Sequence, residues 1–414
     1  MQRLWQRFLI TLLTMCATPA FGGGLWISEF GSPAMGRAGA GSAAGTDDAS
    51  AALHNPASMS RIDTPELMVT GGLISSTLEF DVSQGSFLNG TNGGGDAGDT
   101  LPGGSLFYVH PFNERWAFGV SVAALTGAVL DYDSDWVGRF QATDVDLLAV
   151  AVMPAVSFRA NEMITLGLAV PVMYSDLELE IAIPNPMDPN NDGRAKLDGD
   201  DTQVAVNLSA LVELTEATRF GIFYQSEFEF EYGGDGKVEI QPGTLSIPVN
   251  TEMTMAAMIK LGITHEFSDR LKAHLTFDWE EWSAMDEVII SGENALVLAR
   301  DWDDTYKYAV GIEYQLNPEW TINTGVSYDT DPTTTENRTA DMPMDEQWRY
   351  AIGLVHERSS GMTIGAHLVY ADYGSAEIDR SDLLPVGGFS GEYKDNDLIF
   401  FSVSLGWKFG TARR

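Results

Sequence analysis

Fourteen stretches of alternating apolar and polar residues run through this chain, joined in turn by very short turns and long loops. A period of two puts successive side chains on opposite faces of a strand. Four segments show it well. Phe220, Ile222, Tyr224, Phe228, Phe230 and Tyr232 fall on one face, against Arg219, Gln225, Glu227, Glu229 and Glu231. Leu271, Ala273, Leu275, Phe277 and Trp279 oppose Lys272, His274, Thr276, Asp278 and Glu280. Trp320 to Asp329 and Phe401 to Phe409 repeat the pattern. The tight connections are Asn113-Glu114, Asn161-Glu162, Thr215 to Thr218, Ser268 to Arg270, Asn317 to Glu319 and Ser359 to Gly361. An even number of antiparallel strands, with tight turns at one end and long loops at the other, is the pattern of an outer-membrane β-barrel.

A soluble β-sandwich shares the alternation. The strands here are too long for a small sandwich, whereas roughly 9 to 11 tilted residues cross a bilayer. Tryptophans also gather near strand ends, as interfacial girdles require: Trp116, Trp320 and Trp407 at the short-turn end, and Trp279, Trp282, Trp302 and Trp348 toward the other. The strands are expected near 66–82, 105–112, 116–130, 144–160, 163–182, 202–214, 218–232, 251–267, 271–290, 302–316, 319–328, 346–357, 362–373 and 393–409. An even count returns both termini to the periplasm.

The N-terminus reads as a secretory signal over residues 1–22. Arg3 and Arg7 precede the short apolar run Phe8 to Ala17, and Thr18-Pro19-Ala20 or Ala20-Phe21-Gly22 would precede cleavage. Cys16 is the single cysteine and would leave with it, so the mature chain is expected to lack disulfides and thiolate metal sites. The formal charge is −35, which becomes −37 without Arg3 and Arg7. Nucleic acid is excluded as a partner, because binding phosphates needs the opposite sign. Acidic outer loops account for the charge.

Residues 23–62 do not alternate; they are rich in Gly and Ala. Asp47 is placed to cap a short helix that Pro56 would end. Such a piece cannot hold a core alone, but fourteen strands enclose an interior too wide for side chains alone to close. The expected fold is therefore all-β: a 14-stranded antiparallel transmembrane β-barrel (63–414) plugged by a small N-terminal helical hatch (23–62).

Gly36-Arg37-Ala38, Asp47-Asp48-Ala49 and Asn55-Pro56-Ala57 resemble the hatch of the FadL/TodX family of outer-membrane transporters for long-chain fatty acids and other hydrophobic compounds. The resemblance continues in Trp136 to Phe140, from Trp302 through Tyr306 to Gly311, in Asp329 to Pro332, Asn337-Arg338, Pro343 and Trp348, and in Gly391 to Phe409. It implies capture of an apolar ligand at the outer loops, transfer to an inner pocket, and lateral exit near a kinked strand when the hatch moves. It also implies a passive monomer in the outer membrane with no cofactor. Its partners would be a hydrophobic small molecule or fatty acid, membrane lipid and the barrel assembly machinery. Two features depart from the family: five residues follow Phe409, and the third long loop (183–201) is short and acidic.

By the same resemblance Leu25, Trp26 and Ile27 would project into the inner pocket. Lys307 and Arg349 point inward by parity, with Arg139 and Arg338 nearby by family position. Each is a candidate for a ligand carboxylate or for pairing with a lumenal acid. Asn55-Pro56-Ala57 reads as a turn that holds the hatch, or as part of its gate. Pro154 and Pro171 interrupt strands four and five by removing ladder donors, and Gly127 lies in strand three, so a local wall break is expected near strands three to five. Asp188, Asn190 and Asp192 match the opening of a calcium loop, but the closing acid is replaced by Gly199.

Enzyme motifs are missing. There is no Gly-x-Ser-x-Gly elbow and no His-Glu-x-x-His, and Gly39-Ala40-Gly41 with Gly45 is one residue off a dinucleotide fingerprint. The expected function is uptake of long-chain fatty acids, with aromatic or alkane hydrocarbons as the alternative cargo. An open diffusion porin and an outer-membrane lipid hydrolase are the alternatives of other classes.

Overall fold

In a computed structural model of the chain, residues 25–27, 31–85, 90–185, 191–240, 243–285, 287–291, 296–381 and 388–409 are described. The signal reading over residues 1–22 lies outside them. The wall strands are β1 Glu66–Gly85, β2 Thr100–Pro111, β3 Trp116–Asp131 and β4 Asp144–Arg159. Five interrupted strands follow. They are β5 Ile164–Ala169 continued as Val172–Ile183, β6 Gly193–Val204 continued as Asn207–Thr215, and β7 Thr218–Gln225 continued as Phe228–Ile240. Then come β8 Gly243–Met255 continued as Met258–Ser268, and β9 Leu271–Glu280 continued as Glu287–Ser291. The last are β10 Thr305–Asn317, β11 Trp320–Asp329, β12 Gln347–Glu357, β13 Met362–Asp372 and β14 Phe389–Lys408. Strand β1 pairs antiparallel with β14 from Glu66↔Lys408 to Gly85↔Phe389, which closes the sheet and leaves no edge to satisfy in lipid. The expected 14-stranded barrel is therefore present. Leu166, Val310, Ile352, Leu368 and Phe401 lie exposed on its outer surface as an apolar band.

The interruptions form a crease across five neighbouring strands. It runs through Val170-Pro171, Ala205-Val206, Ser226-Glu227, Ala256-Ala257 and Glu281, stitched by Ala205 N to Pro171 O (3.0 Å), Ser226 N to Val206 O (3.0 Å) and Glu281 N to Ala257 O (2.9 Å). Pro171 breaks its strand as expected of a residue without an N–H. Strand β4 runs through Pro154 unbroken, because the residues opposite are Val170 and Pro171, and Val170 N still reaches the Pro154 carbonyl at 3.1 Å.

At Ser226-Glu227 the crease corrects the expected face. Ile222 and Tyr224 look outward, but Phe228, Phe230 and Tyr232 are buried and Glu227, Glu229 and Glu231 are exposed. Gln225 pairs with Met258 below the break and Phe228 with Met255 above it, so two residues intervene on each strand and the inward parity changes. Two further expectations change. Much of the supposed loop 183–201 is strand: Gly193–Val204 pairs with the upper half of β5 from Ile183↔Gly193 to Val172↔Val204. Its outward residues Arg194, Asp198 and Asp200 are polar, so it carries no apolar stripe to mark it. Trp282 and Trp302 are not girdle residues; both are buried.

Residues 31–65 lie inside the barrel as the 3-10 turns Pro33–Arg37 and Pro56–Arg61 around the short helix Ala51–His54. Small residues suit this segment because its backbone lies directly on the wall. A Cβ on Gly325 would stand 2.2 Å from the Arg37 carbonyl oxygen. Asp47 does not cap the helix: the N-cap is Ser50, whose N–H is held by Asp48 Oδ1 at 2.9 Å. Pro56 ends the helix and also opens the next 3-10 turn, where its missing N–H costs nothing. At the long-loop end a second apolar core forms a roof, with Trp136 stacked on Tyr132 at 4.0 Å between ring centroids and packed against Phe80 and Phe389.

Candidate functional site

The seam between β2 and β3 is incomplete. Strand β2 pairs with β1 from Thr100 to Val109, but with β3 only from Ser105↔Ala123 to Pro111↔Ala117. Above that, β3 bulges between Ala124 and Thr126, and the two sides meet again where Asp131 N donates to Ala97 O at 3.0 Å. A cavity of about 90 Å³ opens at this parted stretch, lined among others by Leu25, Leu101, Gly127, Leu130, Leu147 and Met342. No Lys, Arg or His lines it among the described residues, and its charged members are Asp99 and Asp341. Asp341 is held by Arg300 at 2.5 Å.

Leu25–Ile27 is clipped to the β3 bulge. Ile27 N donates to Leu125 O (2.8 Å) and Thr126 Oγ1 donates to Leu25 O (2.9 Å). Leu25 faces the seam cavity, while Trp26 lines a second space of about 20 Å³ with Leu53, Leu125, Phe223, Gln225 and Met258. The Trp26 ring lies 6.2 Å from Phe228 and 6.1 Å from Trp282, which is 5.6 Å from Trp302. Leu25 and Trp26 therefore stand as a partition between the two spaces.

Asn55-Pro56-Ala57 fastens the plug. Asn55 Nδ2 donates to Ala43 O (2.6 Å) and to the wall carbonyl of Ala210 (3.3 Å), while Ala57 N donates to Asn55 Oδ1 and Ser209 Oγ. The four basic candidates all carry acidic partners. Arg139 Nε donates to Asp192 at 2.7 Å, beside a polar cavity at the long-loop end that Asp131 and Tyr132 also line. Arg338 joins Asp331 (2.6 Å) and Asp345 (3.5 Å) in the outer loops. Lys307 (4.0 Å) and Arg349 (2.8 Å) converge on Asp329 in the lumen. Asp192 thus serves Arg139, and its two calcium companions Asp188 and Asn190 lie outside the described residues.

At the short-turn end Asp47 meets Arg61 (2.9 Å), Arg219 (3.2 Å) and Lys272 (3.2 Å). Burial alone would raise its carboxyl, but Arg219, Lys272 and Arg61 together hold it well below the usual carboxylate range. Asp47, Arg219 and Lys272, with Glu313 and His274, line a polar cavity of about 320 Å³.

Sequence reasoning missed the aromatic lining of Phe228, Trp282 and Trp302. No local signal marked it: Glu227, Glu229 and Glu231 would be costly against lipid and so read as inward, yet they lie exposed on the outer face.

The profile described as outer membrane protein transport protein (OMPP1/FadL/TodX) matches residues 13–409. The long-chain fatty acid transport protein of Escherichia coli O6:H1 is 22% identical, covering 87% of this chain and 90% of that protein. Outer membrane protein P1 of Haemophilus influenzae is also 22% identical, covering 89% and 90%. Among solved structures, a Pseudomonas aeruginosa FadL homologue superposes with a TM-score of 0.85 at 22% identity, covering 95% of this chain and 100% of that one. The Pseudomonas putida toluene transporter TodX gives 0.67 at 16% identity, covering 88% and 94%. This chain belongs to the OMPP1/FadL/TodX family of outer-membrane transport proteins.

Proposed function

We propose that the protein admits uncharged hydrophobic compounds across the outer membrane by passive diffusion, with residues 23–62 as its hatch and the parted β2/β3 seam as its lateral exit. The observation that carries this reading is the seam cavity: largely apolar, free of basic lining among the described residues, and bordered by Leu25. A carboxylate entering it would meet Asp99 and an Asp341 already held by Arg300, with no basic side chain in the described lining, which disfavours a fatty acid anion and favours hydrocarbon-like cargo. The four basic candidates support the same choice, since each already carries an acid. The relatives' names cover both a fatty acid and toluene as cargo. On this reading the chain acts as a monomer, its signal is removed, and both termini lie in the periplasm.

Initial uptake of labelled toluene, dodecane and oleate by cells displaying the chain is the test, run beside single-channel conductance in planar bilayers. Faster entry of the uncharged compounds with little steady current is expected. Oleate alone accelerated would return the cargo to fatty acids. Large steady conductance to potassium chloride would replace the transporter with an open porin.

A further inference from the structure

Two buried donors near the partition have no acceptor. The Trp26 indole N–H and the Gln225 side-chain amide N–H are both without a hydrogen-bond partner, with 3% and 4% of the residue exposed. Both side chains line the same space of about 20 Å³, enough for one water-sized group. An unpaired buried donor forfeits the hydrogen bond it had with water, so two converging on one space mark a place where something supplies oxygen. The lining also holds the apolar Leu53, Leu125, Phe223 and Met258 together with His54, whose Nε2 lies 2.8 Å from Ser32 Oγ.

The surrounding charges decide what kind of oxygen. Lys260 also lines the space, 3.7 Å from Asp278. Glu280 pairs in register with Met258 and accepts from Trp282 Nε1 at 2.7 Å. Two acids thus stand beside one lysine, and a carboxylate head would add a third negative charge to a low-dielectric site.

We infer that Trp26 and Gln225 form a clamp for a neutral oxygen acceptor, a hydroxyl, carbonyl or ester oxygen on an otherwise apolar molecule. The clamp holds this oxygen on one side of the partition while the hydrocarbon part moves toward the seam. This specificity rests on the lumen being the transport route, and it is distinct from the partition's mechanical role. It separates oxygenated hydrophobic cargo from plain alkanes of the same length.

The test compares initial uptake of labelled 1-dodecanol, dodecane and dodecanoate at pH 8 by cells displaying wild type, Trp26→Phe or Gln225→Met. Trp26→Phe keeps an aromatic ring and loses the donor; Gln225→Met keeps length and loses the amide. Heat-modifiable gel migration verifies that each barrel is folded, and either variant alone suffices. Each is expected to slow 1-dodecanol uptake roughly five- to tenfold more than it slows dodecane uptake. Equal losses for alcohol and alkane, or no loss for the alcohol, overturn the clamp and leave the transport reading standing. A selective loss for dodecanoate overturns the assignment of a neutral acceptor. A wild-type chain that accelerates none of the three overturns the transport reading itself.

Discussion

Gly221 of β7 and Ala43 of the plug meet backbone to backbone: a Cβ on Gly221 would lie 1.8 Å from the Ala43 carbonyl oxygen. The neighbouring strand repeats the fit, since a Cβ on Gly262 would stand 2.5 Å from Ala44 N. The opposing atoms are backbone, so no side chain can swing aside. The plug is therefore seated by the shape of the wall as well as by its ion pairs.

Gly221→Leu should unseat the plug. Overpacking of this kind costs about 1–3 kcal/mol or more, and here it falls on the plug's contact rather than on the strand ladder. The folded barrel should persist, with steady conductance in planar bilayers rising several-fold over wild type. Unchanged conductance would mean the plug accommodates the side chain.

The Asp47 cluster sets a pH window. Its carboxyl is depressed in the folded protein, so its contribution is present above the ordinary value of 3.8 and is lost only as pH falls through the lower folded value. The apparent Tm of wild type should fall as strong acid is approached, and Asp47→Asn should flatten that limb. Since 40% of the Asp47 side chain reaches the water of the mouth, the loss near neutral pH should be about 1–2 kcal/mol, smaller than for a dry pair. Thermal gel-shift series from pH 7 down to about pH 1 provide the measurement.

The outer-loop clasp should respond in the opposite direction. Burial, with the charge of Asp345, pushes the Asp331 carboxyl up to about 7 against the pull of Arg338. A raised folded value means the stabilisation is fully present below the ordinary 3.8 and is lost as pH rises through about 7. Hydrogen exchange over residues 330–345 should therefore be faster at pH 8 than at pH 6 after correction for intrinsic rates. Asp331→Asn should abolish the difference; a persisting pH response would place its origin elsewhere.

Gly127 lines the seam cavity and has only Leu147 O near its Cβ position, at 3.5 Å. Gly127→Leu should fit without disturbing the strand and fill the passage. Uptake of uncharged cargo should drop about tenfold or more with the folded barrel unchanged. Wild-type uptake in this variant would rule out the seam as the exit.

The alternation along the chain was enough to count fourteen strands, because side-chain direction along a strand is a local, covalent property. Composition marked the Gly- and Ala-rich stretch before β1 as distinct for a similar reason: small residues permit close backbone approach wherever they end up. What approaches them is not local. The parity change at Ser226-Glu227 follows from matching breaks in β7 and β8, and neither strand announces its partner's break. The parted seam left only a faint trace, since Pro102 lacks a ladder donor and the alternation lapses at Leu125-Thr126, and only the pairing shows these two stretches facing each other unbonded. Lys307 and Arg349 were legible as inward cations, but their shared partner Asp329 comes from the strand between theirs, and Arg139 meets Asp192 from 53 residues away. Periodicity therefore determined the barrel and, away from the crease, which residues face inward. Only the closed wall decided which inward charges are neutralised, where the ladder parts, and which donors are left for a ligand.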